Sequence, residues 1–138
     1  LKFKTLNGST RKIIGAHKYI IDWDGDSRSK FQKLVKDFFK DYWHRDVVFE
    51  EFPIAGTRMT FDLYNANEKI AIEVQGDQHT RYVPFFHGNY KSNYLMQLKR
   101  DHQKNDFCEL NEIKLIEIFE KDKTKLSKSF FKKMDILL

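Results

Sequence analysis

The chain has 138 residues, 41% hydrophobic and 15% aromatic, enough for one domain with a real core and too apolar for a disordered chain. Lys and Arg number 25 against 20 Asp and Glu, so the net charge of +5 favours an anionic partner: nucleic acid, a membrane surface or an acidic protein. No run approaches the roughly 20 apolar residues that span a bilayer, and a single cysteine, Cys108, rules out an internal disulfide and points to a reducing, intracellular setting.

Residues 1–26 read as a basic extension or arm. Lys2, Lys4, Arg11, Lys12 and Lys18 supply its charge, Asn7-Gly8 signals a turn, and Ile13-Ile14 and Tyr19-Ile20-Ile21 are short strand-like runs. The chain opens on Leu1 rather than Met, as expected of a domain cut from a longer protein. From Ser29 the pattern turns helical, with Phe31, Leu34, Val35, Phe38, Phe39 and Tyr42 on one apolar stripe. Ser29-x-x-Gln32 is a capping-box start, and Lys30, Lys33, Lys36 and Lys40 fall on the solvated side.

A strand follows over Val47 to Phe52, closed by Pro53. Arg58 to Tyr64 and Lys69 to Gly76 then alternate apolar and polar residues, with the turn-like Asn65-Ala66-Asn67-Glu68 between them, and predict an antiparallel hairpin. Met59, Phe61, Leu63, Ile70, Ile72 and Val74 share its apolar face; Thr60, Asp62, Glu73 and Gln75 share the other. Thr80 to Asn93 is a loop rich in aromatic and basic groups, and a second helix runs from about Asn93 to Leu110 with Leu95, Leu98 and Cys108 buried. Ile113 to Phe119 is a buried strand, and residues 121–138 form an amphipathic helix that docks on the main body of residues 27–120.

Two carboxylates and an amide on one hairpin face suit a hard divalent cation, because Mg²⁺ takes oxygen ligands and is content with one or two carboxylates beside water and phosphate. Such an ion makes a bound water nucleophilic and stabilises charge on a phosphorane. The helix, three strands, helix, strand order, with Asp62 followed by Glu73-Val74-Gln75, resembles the PD-(D/E)xK nuclease superfamily. Within it, Glu73-Val-Gln-Gly-Asp-Gln-His79 followed by Arg100-Asp101-x-x-Lys104 is similar to the very-short-patch-repair (Vsr) branch, which includes phage and intron homing endonucleases.

The resemblance spans about residues 29–120. It implies an α/β fold with a mixed four-stranded sheet flanked by helices and a Mg²⁺-dependent DNA endonuclease, Mn²⁺ substituting. Asp62, Glu73 and the Val74 carbonyl would hold the metal, Gln75 would position water, His79 would move a proton, and Asp101 would support it, with Gln32 and Lys104 alongside. Arg58, Arg81, Lys91, Lys99 and Arg100 are the candidate phosphate contacts, and Tyr82, Phe85 and Phe86 the candidate base-stacking groups. A bacterial or phage protein acting in the cytoplasm, dimeric where it cuts both strands and without a membrane role, completes the expectation. Two departures stand out. Gln75 occupies a position where much of the superfamily has Lys, and Gln32 one where related nucleases often carry Glu. A non-cleaving nucleic-acid-binding module on the same fold and a protein-interaction domain are the rival readings. Zinc is not expected, since His79, His87, His102 and Cys108 lack paired ligand spacing.

Overall fold

The structure, a computed structural model, describes residues 1–76 and 91–138, with side chains in the second stretch from residue 94 onward. A hairpin of β1 (Lys2–Lys4) and β2 (Thr10–Lys12) precedes α1 (Lys30–Trp43), β3 (Val48–Pro53), β4 (Thr60–Asn65), β5 (Ile70–Gln75), α2 (Lys91–Leu110), β6 (Lys114–Phe119) and α3 (Lys128–Lys132). The four later strands form one mixed sheet in the order β3-β4-β5-β6, antiparallel until β6 joins β5 in parallel. The α-β-β-β-α-β order thus stands as expected, with α2 as the crossover that a parallel pair needs.

The sheet is covered on both faces. Val48, Leu63, Ile70, Ile72, Ile116 and Ile118 pack with Phe31, Val35, Phe39 and Trp43 of α1 and with Phe131 and Ile136 of the C-terminal segment. Phe49, Phe52, Phe61, Tyr64 and Ala71 pack with Phe3, with Phe107 and Cys108 of α2, and with Ile113. Each such buried aromatic or branched side chain contributes roughly 1.5–3 kcal/mol. Phe3 therefore ties the N-terminal hairpin to the body, and the Asn111 side chain bonds both the Lys4 N–H (2.8 Å) and the Lys4 carbonyl (2.9 Å). Among the described residues no helix is long and apolar enough to cross a membrane.

Several local expectations are corrected. Ile13-Ile14 forms no strand, and Ala16–Tyr19 is a 3-10 turn with only Ile20 bridging to Phe49. Ser29 caps α1 by accepting the Gln32 N–H at 3.1 Å, but the Gln32 side chain does not close the capping box; its amide reaches the sheet instead. Lys36 is fully buried rather than solvated, while Leu34 and Tyr42 are exposed. On α2, Leu95 and Leu98 are exposed and Phe107 and Cys108 make the core contact. Leu95 and Leu98, three residues apart, share a helix face that the core leaves uncovered, and Met96 lies about 100° around from Leu95.

The C-terminal helix is only five residues long. Asp135 adopts φ +61, the Ile136 N–H donates to the Phe131 carbonyl at 3.0 Å, and Ile136 packs beside Phe131, which is a Schellman stop. The same device ends α2. Glu112 has φ +56 and the Ile113 N–H donates to the Cys108 carbonyl at 2.8 Å, which aims the chain into β6. In the β4–β5 turn the left-handed residue is Lys69 (φ +55), not an asparagine; Asn65 is buried and caps the Glu68 N–H at 3.0 Å.

The hairpin faces need the most consequential correction. Phe61 and Leu63 should lie on one face, yet Phe61 packs with Phe52, Tyr64 and Phe107 while Leu63 packs with Ile72 on the other side. The pleat is broken between them, at Asp62, opposite a Glu51 held at φ +52. Non-glycine residues seldom adopt that conformation, and the strand distortion frees the groups that build the site.

Candidate metal centre

Strand register sets one acidic residue on each strand in a single row. Glu50 pairs with Leu63 and Phe52 with Phe61, which places Glu51 opposite Asp62. Leu63 pairs with Ile72, so the next position brings Asp62 against Glu73. Glu73 pairs directly with Glu117. Crossing the sheet therefore meets Glu51, Asp62, Glu73 and Glu117 in order.

Asp62 and Glu73, both buried, replace the backbone ladder where they meet. The Asp62 N–H donates to Glu73 Oε2 at 2.9 Å, and the Val74 N–H donates to Asp62 Oδ2 at 2.8 Å. Each carboxylate thus has one oxygen fixed by a strand amide. Its other oxygen meets a cation: Asp62 Oδ1 accepts from the Arg28 guanidinium at 3.2 Å, and Glu73 Oε1 accepts from the Lys104 ammonium. Arg28 comes from the turn before α1 and Lys104 from α2. Burial first, then the Glu73 charge, push the Asp62 carboxyl up to about 7, against the opposing Val74 amide. Burial, followed by the Asp101 charge, also raises the Glu117 carboxyl, with Lys104 opposing.

Gln75 is the remaining member. It is 6% exposed, and among the described residues its buried Oε1 has no hydrogen-bond partner. A buried acceptor left unpaired costs on the order of 1–3 kcal/mol, so the site is short of a donor or a cation at this point. That deficit fits a metal or its bound water. Among the described residues no three His, Cys, Asp or Glu side chains converge closely enough to encage an ion. Asp62 and Glu73 would then hold one with most of its sphere left to water and phosphate, as Mg²⁺ tolerates.

Other sequence candidates are placed as follows. Gln32 reaches Glu50 Oε2 at 2.9 Å and Glu51 Oε1 at 3.1 Å, so it orients the outer acids rather than Asp62 itself. Val74 contributes its N–H to Asp62. Lys104 pairs with Glu73, not with its helix neighbour Asp101, which lies in electrostatic range of Glu117. Arg58, Lys99 and Arg100 are exposed. His79, Arg81, Tyr82, Phe85, Phe86 and the Lys91 side chain lie outside the described residues.

Sequence reasoning missed Arg28, Glu51 and Glu117. Their spacing from the hairpin carries no signal, because register between separate strands is fixed only by the assembled sheet. Cys108 is buried beneath the site, its thiol pushed up to about 12, chiefly by burial, and is inert there.

No protein-family model matches the chain, and no solved structure matches it. The chain is similar to uncharacterized protein 094L of Frog virus 3 (isolate Goorha), 36% identical over 91 residues that cover 66% of this chain and 57% of that protein. It is also similar to uncharacterized protein 307L of Invertebrate iridescent virus 6, 35% identical over 60 residues (44% of this chain, 30% of that protein). Uncharacterized protein 033L of Invertebrate iridescent virus 3 is 35% identical over 66 residues, covering 48% and 34% respectively. The chain spans less than two thirds of the length of each of these viral relatives.

Proposed function

We propose that this chain carries a divalent-metal-dependent DNA endonuclease site of the PD-(D/E)xK kind, close to the Vsr branch. The observation that carries the reading is the buried Asp62–Glu73 pair, each carboxylate anchored to a strand amide on one oxygen and facing a cation on the other, Arg28 on Asp62 and Lys104 on Glu73. A divalent ion, Mg²⁺ or Mn²⁺, would supply a water of lowered pKa and a positive field at the phosphate.

The protein's own groups do the rest. Strand amides hold the two carboxylates so that no reorganisation is needed when charge develops. Gln75 Oε1 is placed to accept from a water and orient it. Lys104 supplies from α2 the ammonium that Gln75 cannot supply from β5, which answers the main departure from the superfamily pattern. His79 remains the proposed proton carrier, being able to titrate near neutrality. The net charge of +5 and the exposed Arg58, Lys99 and Arg100 suit a polyanionic substrate. The viral relatives favour a virus-encoded protein acting inside the host cell over a bacterial one.

The test is conversion of supercoiled plasmid to nicked or linear DNA with Mg²⁺ or Mn²⁺, alongside Asp62→Asn and Glu73→Gln. Cleavage is expected from the wild type alone and should vanish with EDTA. Binding of DNA without cleavage under either metal would leave a non-cleaving module in place of the enzyme. Cleavage undiminished in both variants would remove the site.

A further inference from the structure

Among the described residues, Arg28 is the site cation that stands largely in solvent. Its side chain is 68% exposed, against 19% for Lys104, yet its guanidinium bridges two acids of the row, Asp62 at 3.2 Å and Glu51 at 3.6 Å. The backbone beneath it is fixed on both sides: the Ser27 hydroxyl donates to Glu50 Oε2 at 2.6 Å, and Ser29 caps α1. A firmly planted base thus carries a solvent-exposed head. Beside it lies a shallow, solvent-open hollow of about 350 Å³, bordered by Lys18, Asp22, Ser27 and Glu51, into which the guanidinium has room to turn off Asp62.

The oxygen that Arg28 covers, Asp62 Oδ1, is the one not held by a strand amide, and so the one a metal would need. We infer that Arg28 is an exchangeable counter-ion: it neutralises Asp62 in the metal-free site, yields that oxygen to the incoming divalent ion, and passes to a phosphate of the bound strand. Three charges make the exchange favourable. A divalent cation at Asp62 repels the guanidinium, Glu51 keeps it nearby, and a phosphate offers the planar, bidentate acceptor that arginine fits best. Lys104, half-buried against Glu73, stays where it is. This role rests on the metal-site reading above.

The test separates the two. Mn²⁺ affinity is measured by electron paramagnetic resonance titration for the wild type, Arg28→Gln and Arg28→Lys. DNA affinity is measured as a function of salt in Ca²⁺, chosen as the metal for a binding rather than a cleavage assay. Removing a competing exposed ion pair should tighten Mn²⁺ binding about two- to fivefold in Arg28→Gln. The slope of log affinity against log salt should fall by roughly one phosphate contact. Arg28→Lys, keeping charge without the fork, should lie between. Mn²⁺ binding that is unchanged or weaker in Arg28→Gln overturns the exchange, since a merely supporting arginine would give that sign. Tighter Mn²⁺ with an unaltered salt slope overturns the transfer to phosphate. Failure of the wild type and of both variants to bind Mn²⁺ would strike the metal site, and the exchange with it.

Discussion

Two lysines reach from a helix to a glutamate on the sheet, Lys36 to Glu50 and Lys104 to Glu73, and they differ in what surrounds the pair. Lys36 is fully enclosed, and its ammonium donates to Glu50 Oε1 at 2.9 Å, to the Gly25 carbonyl at 3.0 Å and to the Asp26 carbonyl at 3.4 Å. Glu50 is likewise filled, its other oxygen taken by Ser27 and Gln32. Nothing there wants a ligand. Around Lys104 and Glu73, a second buried carboxylate with a raised pKa lies alongside, and Gln75 Oε1 has no partner among the described residues. A closed ion pair fixes α1 on the sheet; an open one keeps unmet demand in a place that chemistry can use.

The sharpest way to break the comparison is to remove each lysine in turn. Lys36→Met should cost about 3–5 kcal/mol in unfolding free energy, because it strands a largely covered glutamate beneath α1. Adding Mg²⁺ should not restore it. Lys104→Met should cost less stability, about 1–3 kcal/mol, part of it regained on adding Mg²⁺ through ligand linkage. Its plasmid cleavage should fall about 10²- to 10³-fold, the scale for losing one preorganised electrostatic group. Thermal melts with and without Mg²⁺ beside cleavage rates read both; a Mg²⁺ rescue of Lys36→Met, or full activity in Lys104→Met, would erase the distinction.

A smaller effect tests whether the open site is held at a cost. The Asp62 carboxyl titrates at about 7 in the folded state against 3.8 ordinarily, so folding takes up a proton between those values. The penalty for its buried charge is absent near pH 4, grows as pH rises and is complete above pH 7. Asp62→Asn keeps an oxygen for the Val74 amide and removes the charge. It should therefore raise metal-free stability at pH 8 by about 1–3 kcal/mol while abolishing cleavage. The gain should shrink on acidification toward pH 4. An Asn variant that is less stable at pH 8 would show that the fold does not strain to keep Asp62.

The hairpin and α1 were legible in the sequence because alternation, the Ser29 cap and a 3.6-residue stripe are local patterns. So was the sharing of one hairpin face by Asp62 and Glu73, since alternate strand residues point the same way; their direct opposition came only with the strand register. What escaped depends on contacts between distant segments. Glu51 and Glu117 join the row only through the β3 and β6 registers, and Arg28 sits 34 residues from Asp62. Lys36 looked like a solvent lysine by periodicity, and only the arrival of Glu50 and two loop carbonyls makes its burial tolerable. The broken pleat at Asp62 left no mark either, because glutamate at position 51 gives no hint of a left-handed backbone.

The central claim is that Asp62 and Glu73 share a divalent ion. Crystals of the wild-type chain soaked in Mn²⁺ would settle it through the anomalous difference map. The expected result is one peak bonded to Asp62 Oδ1 and a Glu73 oxygen, with the Arg28 guanidinium moved off Asp62. A map with no peak at this pair, or with the metal bound elsewhere in a protein that cleaves DNA, would contradict it.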